Sequence, residues 1–191
     1  MKFPGINKGE NGFSYIDVMC ALVILMVGIL GLTAAITQSL VRSFESEQRL
    51  IAKQIAQSTI ESIFASRDIK SANGLDSWDK VGNIGSAQVP RGIFVTGWSP
   101  VRQNPGLDGL LGTIDDACSG TGACYANGVT PTPGYERQVT IEDVPDPERP
   151  SPPNPINRRR ITVTVRYWIT TISRQETIST MISNINTTKQ Q

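Results

Sequence analysis

The sequence contains no histidine. That absence removes the Ser–His–Asp triad, the Cys–His pair and every imidazole metal site. Net charge is nearly absent too, with eighteen Lys and Arg against seventeen Asp and Glu. Nothing in that balance selects nucleic acid or an acidic partner. Cysteine is scarce, at three residues, and aromatics make up 6% of the chain. No pair of carboxylates stands in an apolar setting, no glycine loop has phosphate-cradling spacing, and no nucleophile has a base beside it. Catalysis is therefore not expected. Two further absences are local: no Asp, Glu, Lys or Arg occurs from Val18 to Val41, and neither Pro nor Gly from Thr33 to Ile69.

The first gap marks a membrane segment. Every residue from Val18 to Leu32 is apolar or glycine, and a helix over this run is long enough to cross a hydrocarbon core of about 30 Å. Asp17 stands at its entrance. An acid within a membrane segment costs a few kcal/mol unless it is paired or near the interface, so its default reading is functional. The simplest partner is an α-amino group. Asp17, Ala21, Gly28, Gly31, Ala35 and Ser39 fall on one side of the helix at steps of three, four or seven. Small residues so spaced let helix backbones approach closely in lipid, which makes this the expected contact face. The competing reading is that glycine and alanine are simply common in membrane helices.

The second gap marks a continuation. Leu40, Phe44, Ile51, Ile55 and Ile63 form one stripe, with Val41, Ala52, Ala56, Ile60 and Phe64 beside it. This pattern predicts an amphipathic helix over 42–70 that continues the membrane half, 13–41. From Phe13 to Ala65 the helix would run roughly 80 Å. The period wanders too much for a coiled coil.

Met1–Gly12 is short and polar and ends in glycine, unlike a secretory signal, whose cut follows a shorter apolar core. At Gly12-Phe13-Ser14-Tyr15-Ile16-Asp17 the sequence resembles the class III leader of type IV prepilins and type II secretion pseudopilins. The resemblance implies a leader over 1–12, cleavage between Gly12 and Phe13 by a prepilin peptidase, and N-methylation of Phe13 by the same enzyme. Asp17 takes the place where the family usually has glutamate; it keeps the charge and is one methylene shorter. The run Ala21–Leu32 is similar to the minor pilins called type IV pilus modification proteins, while Ala34 stands where major pilins often carry proline. The resemblance covers Gly12–Leu40.

It implies a minor type IV pilin, a structural subunit at or near a fibre tip, with other pilin subunits and an inner-membrane assembly platform as partners. The head would lie in the periplasm before assembly and on the fibre afterwards. A minor pseudopilin of type II secretion uses the same helix. A tip module, adhesin or DNA receptor, built from the 74–157 loops is the reading from another class, and an uncleaved single-pass anchor is the plainest. Without Lys2, Lys8 and Glu10, sixteen side chains of each sign remain.

Residues 71–191 form the expected head. Helix signals end at Asn73-Gly74, and 74–134 is rich in glycine and proline, with one expected strand, Gly92–Trp98. Within the loop region 99–134, Asn104–Asp116 reads as successive turns. Asp108, Asp115 and Asp116 offer hard oxygen ligands to calcium, which stabilises some pseudopilins. Their spacing is not that of an EF-hand, and Asp-Gly is first of all a turn dipeptide, so no cofactor is expected. Cys20, inside the apolar run, reads as a small buried hydrophobe. If the anchor places the head outside the cytoplasm, Cys118 and Cys124 read as a disulfide. A metal knuckle would need two more soft ligands.

Arg137–Glu142, Ile161–Ile169 and Thr177–Asn184 alternate as antiparallel strands, with Ser173-Arg174-Gln175 turning the second into the third. Val144–Asn157, with six prolines, is a stiff irregular crossing. Arg158-Arg159-Arg160 is the only basic cluster; without interleaved aromatics it reads as a solvated strand entrance and not a nucleic-acid contact. Trp78, Trp98 and Trp168 are scattered, at least two of them core or sheet-face residues. The whole is an α+β, pilin-like fold: a long N-terminal helix packed on a small antiparallel sheet.

Overall fold

A computed structural model of the chain describes residues 14–69, 77–87, 89, 91–102, 105–106, 108–114, 116, 132–152, 154–169 and 171–184. It has the expected α+β arrangement. One helix, α1 (Tyr15–Asp68), is followed by a one-turn 3-10 helix (Ser77–Lys80) and four strands: β1 (Trp98–Pro100), β2 (Tyr135–Asp143), β3 (Arg158–Ile169) and β4 (Ile172–Ser183). They form one antiparallel sheet in the order β1-β2-β3-β4. Two compact units divide the chain, residues 1–45 and 46–191.

In the second unit the sheet follows its alternation. Val139 of β2 stands opposite Val163 of β3, and Val163 opposite Ile178 of β4; Ile141, Ile161 and Thr180 form the next such row. These side chains point inward, while Thr162 and Thr164 point out. Burying a Val or Ile contributes about 1.5–3 kcal/mol. A slip of one residue would exchange that face for the hydroxyl face, so the register is strongly specified. Pairing of β3 with β4 continues to Ile169 opposite Ile172. The reversal therefore falls between those residues, and Ser173-Arg174-Gln175 lie within β4 instead of forming the turn. A two-residue connection matches the strand twist better than a longer one.

The helix meets this core through small side chains. Ala52, Ala56, Thr59, Ile63 and Ser66 are buried, with Ile51, Ile55, Ile60 and Phe64 flanking them. The hydroxyls need no outside partner. Thr59 Oγ1 donates to the Ile55 carbonyl at 2.8 Å and Ser66 Oγ to the Ile63 carbonyl at 2.8 Å, the local bond by which these residues are tolerated inside helices. Leu40, Val41 and Phe44, expected in the same stripe, are exposed and belong to the first unit.

The expected strand over Gly92–Trp98 does not form. Phe94 makes only single bridges, to Asn83 and Thr113, and the strand lies further on, at Trp98–Pro100. Two features explain the shift. Gly97, at φ +79°, breaks the run with a backbone conformation that favours glycine. Beyond Gln138 the edge of β2 is already occupied: the Asn83 carboxamide donates to the Val139 carbonyl at 2.9 Å and accepts the Ile141 N–H at 2.7 Å. One side chain satisfies main-chain groups that a neighbouring strand would otherwise bind.

Arg137 points inward from β2 and is 2% exposed. Its Nη2 donates to Asp116 Oδ2 at 3.0 Å and its Nη1 to Thr59 Oγ1 at 3.0 Å. Asp116 also accepts the Gly112 N–H. The sheet, the helix and the 108–116 turns thus meet at one guanidinium. Burial pushes its pKa down while the Asp116 charge opposes that shift. Removing one member of a buried pair leaves the other uncompensated. Arg137→Ala should cost about 3–5 kcal/mol in urea denaturation, and Arg137→Met combined with Asp116→Asn should cost clearly less than Arg137→Ala alone.

A second ion pair ties the proline-rich crossing to β3. Asp146 Oδ2 accepts Arg158 Nη2 at 2.6 Å, and its Oδ1 accepts the Glu148 N–H at 3.1 Å. That backbone bond and then the Arg158 contacts hold the Asp146 carboxyl below its ordinary value. A depressed carboxylate contributes stability that is present above its unfolded pKa, about 3.9, and lost as pH falls through the folded value. Asp146→Asn should lower the melting temperature slightly at neutral pH and converge with the native chain in acid, so that the acid limb below about pH 4 is flatter, as read from melting temperature against pH.

Candidate functional site

The N-terminal end of α1 carries the residues singled out for assembly. Ser14 precedes the helix and Asp17 closes its first turn: the Ser14 carbonyl accepts the Asp17 N–H at 2.9 Å, and Asp17 Oδ2 accepts the Ser14 N–H at 3.2 Å. This is the return half of a capping box, in which an acid three residues past the cap reaches back to the cap's N–H. The carboxylate also sits where the helix macrodipole favours negative charge. Asp17 is therefore anchored within its own chain at the N-terminal turn. Gly12 and Phe13, the expected cleavage and methylation positions, lie outside the described residues.

Past Asp17 the helix is apolar on every side, and residues 15–43 are exposed. It is long and apolar enough to cross a membrane, and so compatible with a membrane anchor. Two of its hydroxyls are satisfied along the helix. Thr33 Oγ1 donates to the Ile29 and Leu30 carbonyls at 3.1 and 2.9 Å, and Thr37 Oγ1 to the Thr33 carbonyl at 2.7 Å. Such back-bonding removes the cost of an unpaired hydroxyl in hydrocarbon.

Asp17, Val18, Ala21, Leu22 and Leu25 line a shallow groove on the helix surface. Gly28 and Gly31 follow on the side of Asp17 and Ala21, and Ala35 after them. A Cβ added at either glycine would meet nothing within 4 Å. No contact inside this chain calls for glycine at those positions. Cys20 is exposed on the same segment, not buried.

The head's expected sites fare differently. Asp116 accepts from Arg137 and Gly112, so its carboxylate balances a guanidinium. Asp108 Oδ1 accepts the Leu110 N–H at 2.8 Å, an Asx turn. Asp115, Cys118 and Cys124 lie outside the described residues. Among the described residues, no three Asp, Glu, Cys or His side chains converge.

The arginine run is not a uniformly solvated entrance. Arg160 is exposed and Arg158 pairs with Asp146, but Arg159 is buried. Its Nη1 donates to the Trp78 and Val81 carbonyls at 2.5 and 2.7 Å and its Nε to Asp143 at 2.9 Å. The guanidinium also lies 4.3 Å from the Trp78 ring centroid, within cation–π range. Arg159 thus holds the 3-10 helix against the sheet. Sequence reasoning missed both buried arginines, although a signal existed. Arg137 shares strand parity with Val139 and Ile141, and Arg159 with Ile161 and Val163. A cation on the apolar face of an alternating strand requires a buried partner.

No family model, curated protein or solved structure matches this chain.

If the glycine face serves another helix, bulk there should disturb association alone. Gly28→Leu with Gly31→Leu should leave helicity and membrane insertion unchanged and lower helix–helix energy transfer between labelled chains in bilayers by severalfold. Unchanged transfer would remove the contact-face reading.

Proposed function

We propose that this chain is a minor type IV pilin. It is inserted through α1, processed between Gly12 and Phe13, N-methylated at Phe13 by the prepilin peptidase, and built into a fibre at or near its tip. It acts by assembly and not by catalysis. Its partners are other pilin subunits and the inner-membrane assembly platform. The observation that carries the reading is a carboxylate fixed in the first turn of a helix whose next fifteen residues, Val18–Leu32, are all apolar or glycine.

In lipid, such a carboxylate is costly unless a cation meets it. Cleavage after Gly12 creates an ammonium on Phe13, the residue next to the Ser14 N–H that Asp17 already accepts. That ammonium, from the same or a neighbouring subunit, neutralises Asp17 and sets one helix in register with the next as the subunit leaves the bilayer. The small-residue side of the helix lets the backbones come close enough for the pair to form. The head, outside the membrane, is held on the fibre by the second half of the helix.

Two substitutions separate a charge pair from a simple cap. Asn at position 17 accepts the Ser14 N–H but carries no charge; Ala does neither. Asp17→Asn and Asp17→Ala should both insert and be cleaved normally, yet appear in sheared fibres at about a hundredth of the native level, the effect of about 3 kcal/mol from a broken buried pair. Asp17→Glu should assemble. Normal incorporation of Asp17→Asn would reduce Asp17 to a helix cap. An intact Met1–Gly12 on fibre material, seen by mass spectrometry, would end the pilin reading.

A further inference from the structure

The sheet has a second face, turned away from α1, and its chemistry is unusual for a surface that only meets water. Trp98 from β1 and Trp168 from β3 both stand on it, 37% and 38% exposed. Arg166 lies between them, its guanidinium carbon 4.3 Å from the Trp98 ring centroid and 5.1 Å from that of Trp168. Each ring gives one face to Arg166 and has a second. Both centroids lie within 5.1 Å of the same atom, so the two rings flank one guanidinium.

Beside the rings runs a row of hydroxyls. Thr162 and Ser179 share a hydrogen bond of 3.2 Å, and Thr164 and Thr177 one of 3.1 Å; in each pair either oxygen can be the donor. A hydroxyl rotor both donates and accepts, which suits a partner made of hydroxyls. The charges on this face cancel where they stand. Arg166 is bonded to Glu136 through Nε at 3.1 Å and through Nη2, and Glu142 stands opposite Arg160 in the β2–β3 register. No field of one sign remains to draw a nucleic acid or an acidic polymer.

We propose that this outer face, with Trp98 and Trp168 as its stacking groups and the Thr162–Ser179 and Thr164–Thr177 hydroxyls beside them, binds a neutral polysaccharide chain. The C–H face of a sugar ring packs on an indole, and its hydroxyls exchange hydrogen bonds with those of the strands. The face is internally neutral and polar, so its complement is an uncharged polyol. A polyanion is the competing occupant that the test must separate. The inference uses the head alone and does not rest on the pilin reading.

The test uses the full chain in a detergent without a sugar headgroup. Dextran, a β-1,3-glucan, a mannan and hydroxyethyl cellulose are offered in affinity gels, with alginate and duplex DNA as polyanion controls. At least one neutral polymer should retard the chain and shift its tryptophan emission, with little dependence on salt. Trp98→Ala and Trp168→Ala should each weaken retention at least tenfold. Thr164→Lys, at an outward position that leaves the core intact, should do the same while the thermal transition stays in place; this keeps the test decisive if an alanine variant unfolds. The proposal is overturned if no neutral polymer retards the chain, if retention needs a polyanion and vanishes with salt, or if Thr164→Lys retains native binding. A face that is only structural would show the stability losses of the tryptophan variants with no polysaccharide shift in the native chain.

Discussion

A guanidinium taken almost wholly out of water has to be neutralised where it stands, and Arg137 organises the head by meeting that requirement. Its two terminal nitrogens reach in different directions, one to Thr59 on the helix and one to Asp116 in the turns. Neither Thr59 nor Asp116 can shift far without leaving a buried polar group unmatched. The apolar rows of β2 and β3 supply most of the stabilising burial, but apolar contact is indifferent to small rotations. The charged node is not. It fixes the azimuth of the helix over the sheet and the approach of a glycine-rich segment that has few apolar contacts of its own.

How much of this was legible in the sequence depended on periodicity. The helix was visible because a charge-free run passes directly into a 3.6-residue pattern without proline or glycine. The strands β2, β3 and β4 were visible because Val, Ile and Thr alternate strictly. What did not show were features that depend on tertiary neighbours. The true helix stripe is centred on Ala52, Ala56 and Thr59, whose small size matters only against a sheet and leaves little mark in a hydrophobicity pattern. The strand expected at Gly92–Trp98 failed because the carboxamide of Asn83, which precedes that run in the sequence, already bonds to β2. Arg137 and Arg159 could have been found by parity, since each sits among inward-facing aliphatics. Their partners, separated by many residues, could not.

The N-terminal half of the helix has a different logic. Among the described residues, a Cβ added at Gly28 or Gly31 would meet nothing within 4 Å. The two threonine hydroxyls of this half bond to carbonyls of the same helix and ask nothing of their surroundings. Only Asp17 carries a charge on that stretch, and it is held at the end where a helix already favours an anion. A segment so built is self-sufficient in a hydrocarbon environment except at one point, and that exception gives the polymer reading its specificity.

Asn83 has a consequence for how this head can vary. A full strand along the upper part of β2 would have to keep length, register and alternation to stay paired. A lone carboxamide plug asks for much less. Loops between the helix and β1 can be rewritten as long as this amide and the Trp78–Val81 turn that holds Arg159 arrive at the same spots. The sheet and helix can then serve as a chassis while the ornament beside them diverges.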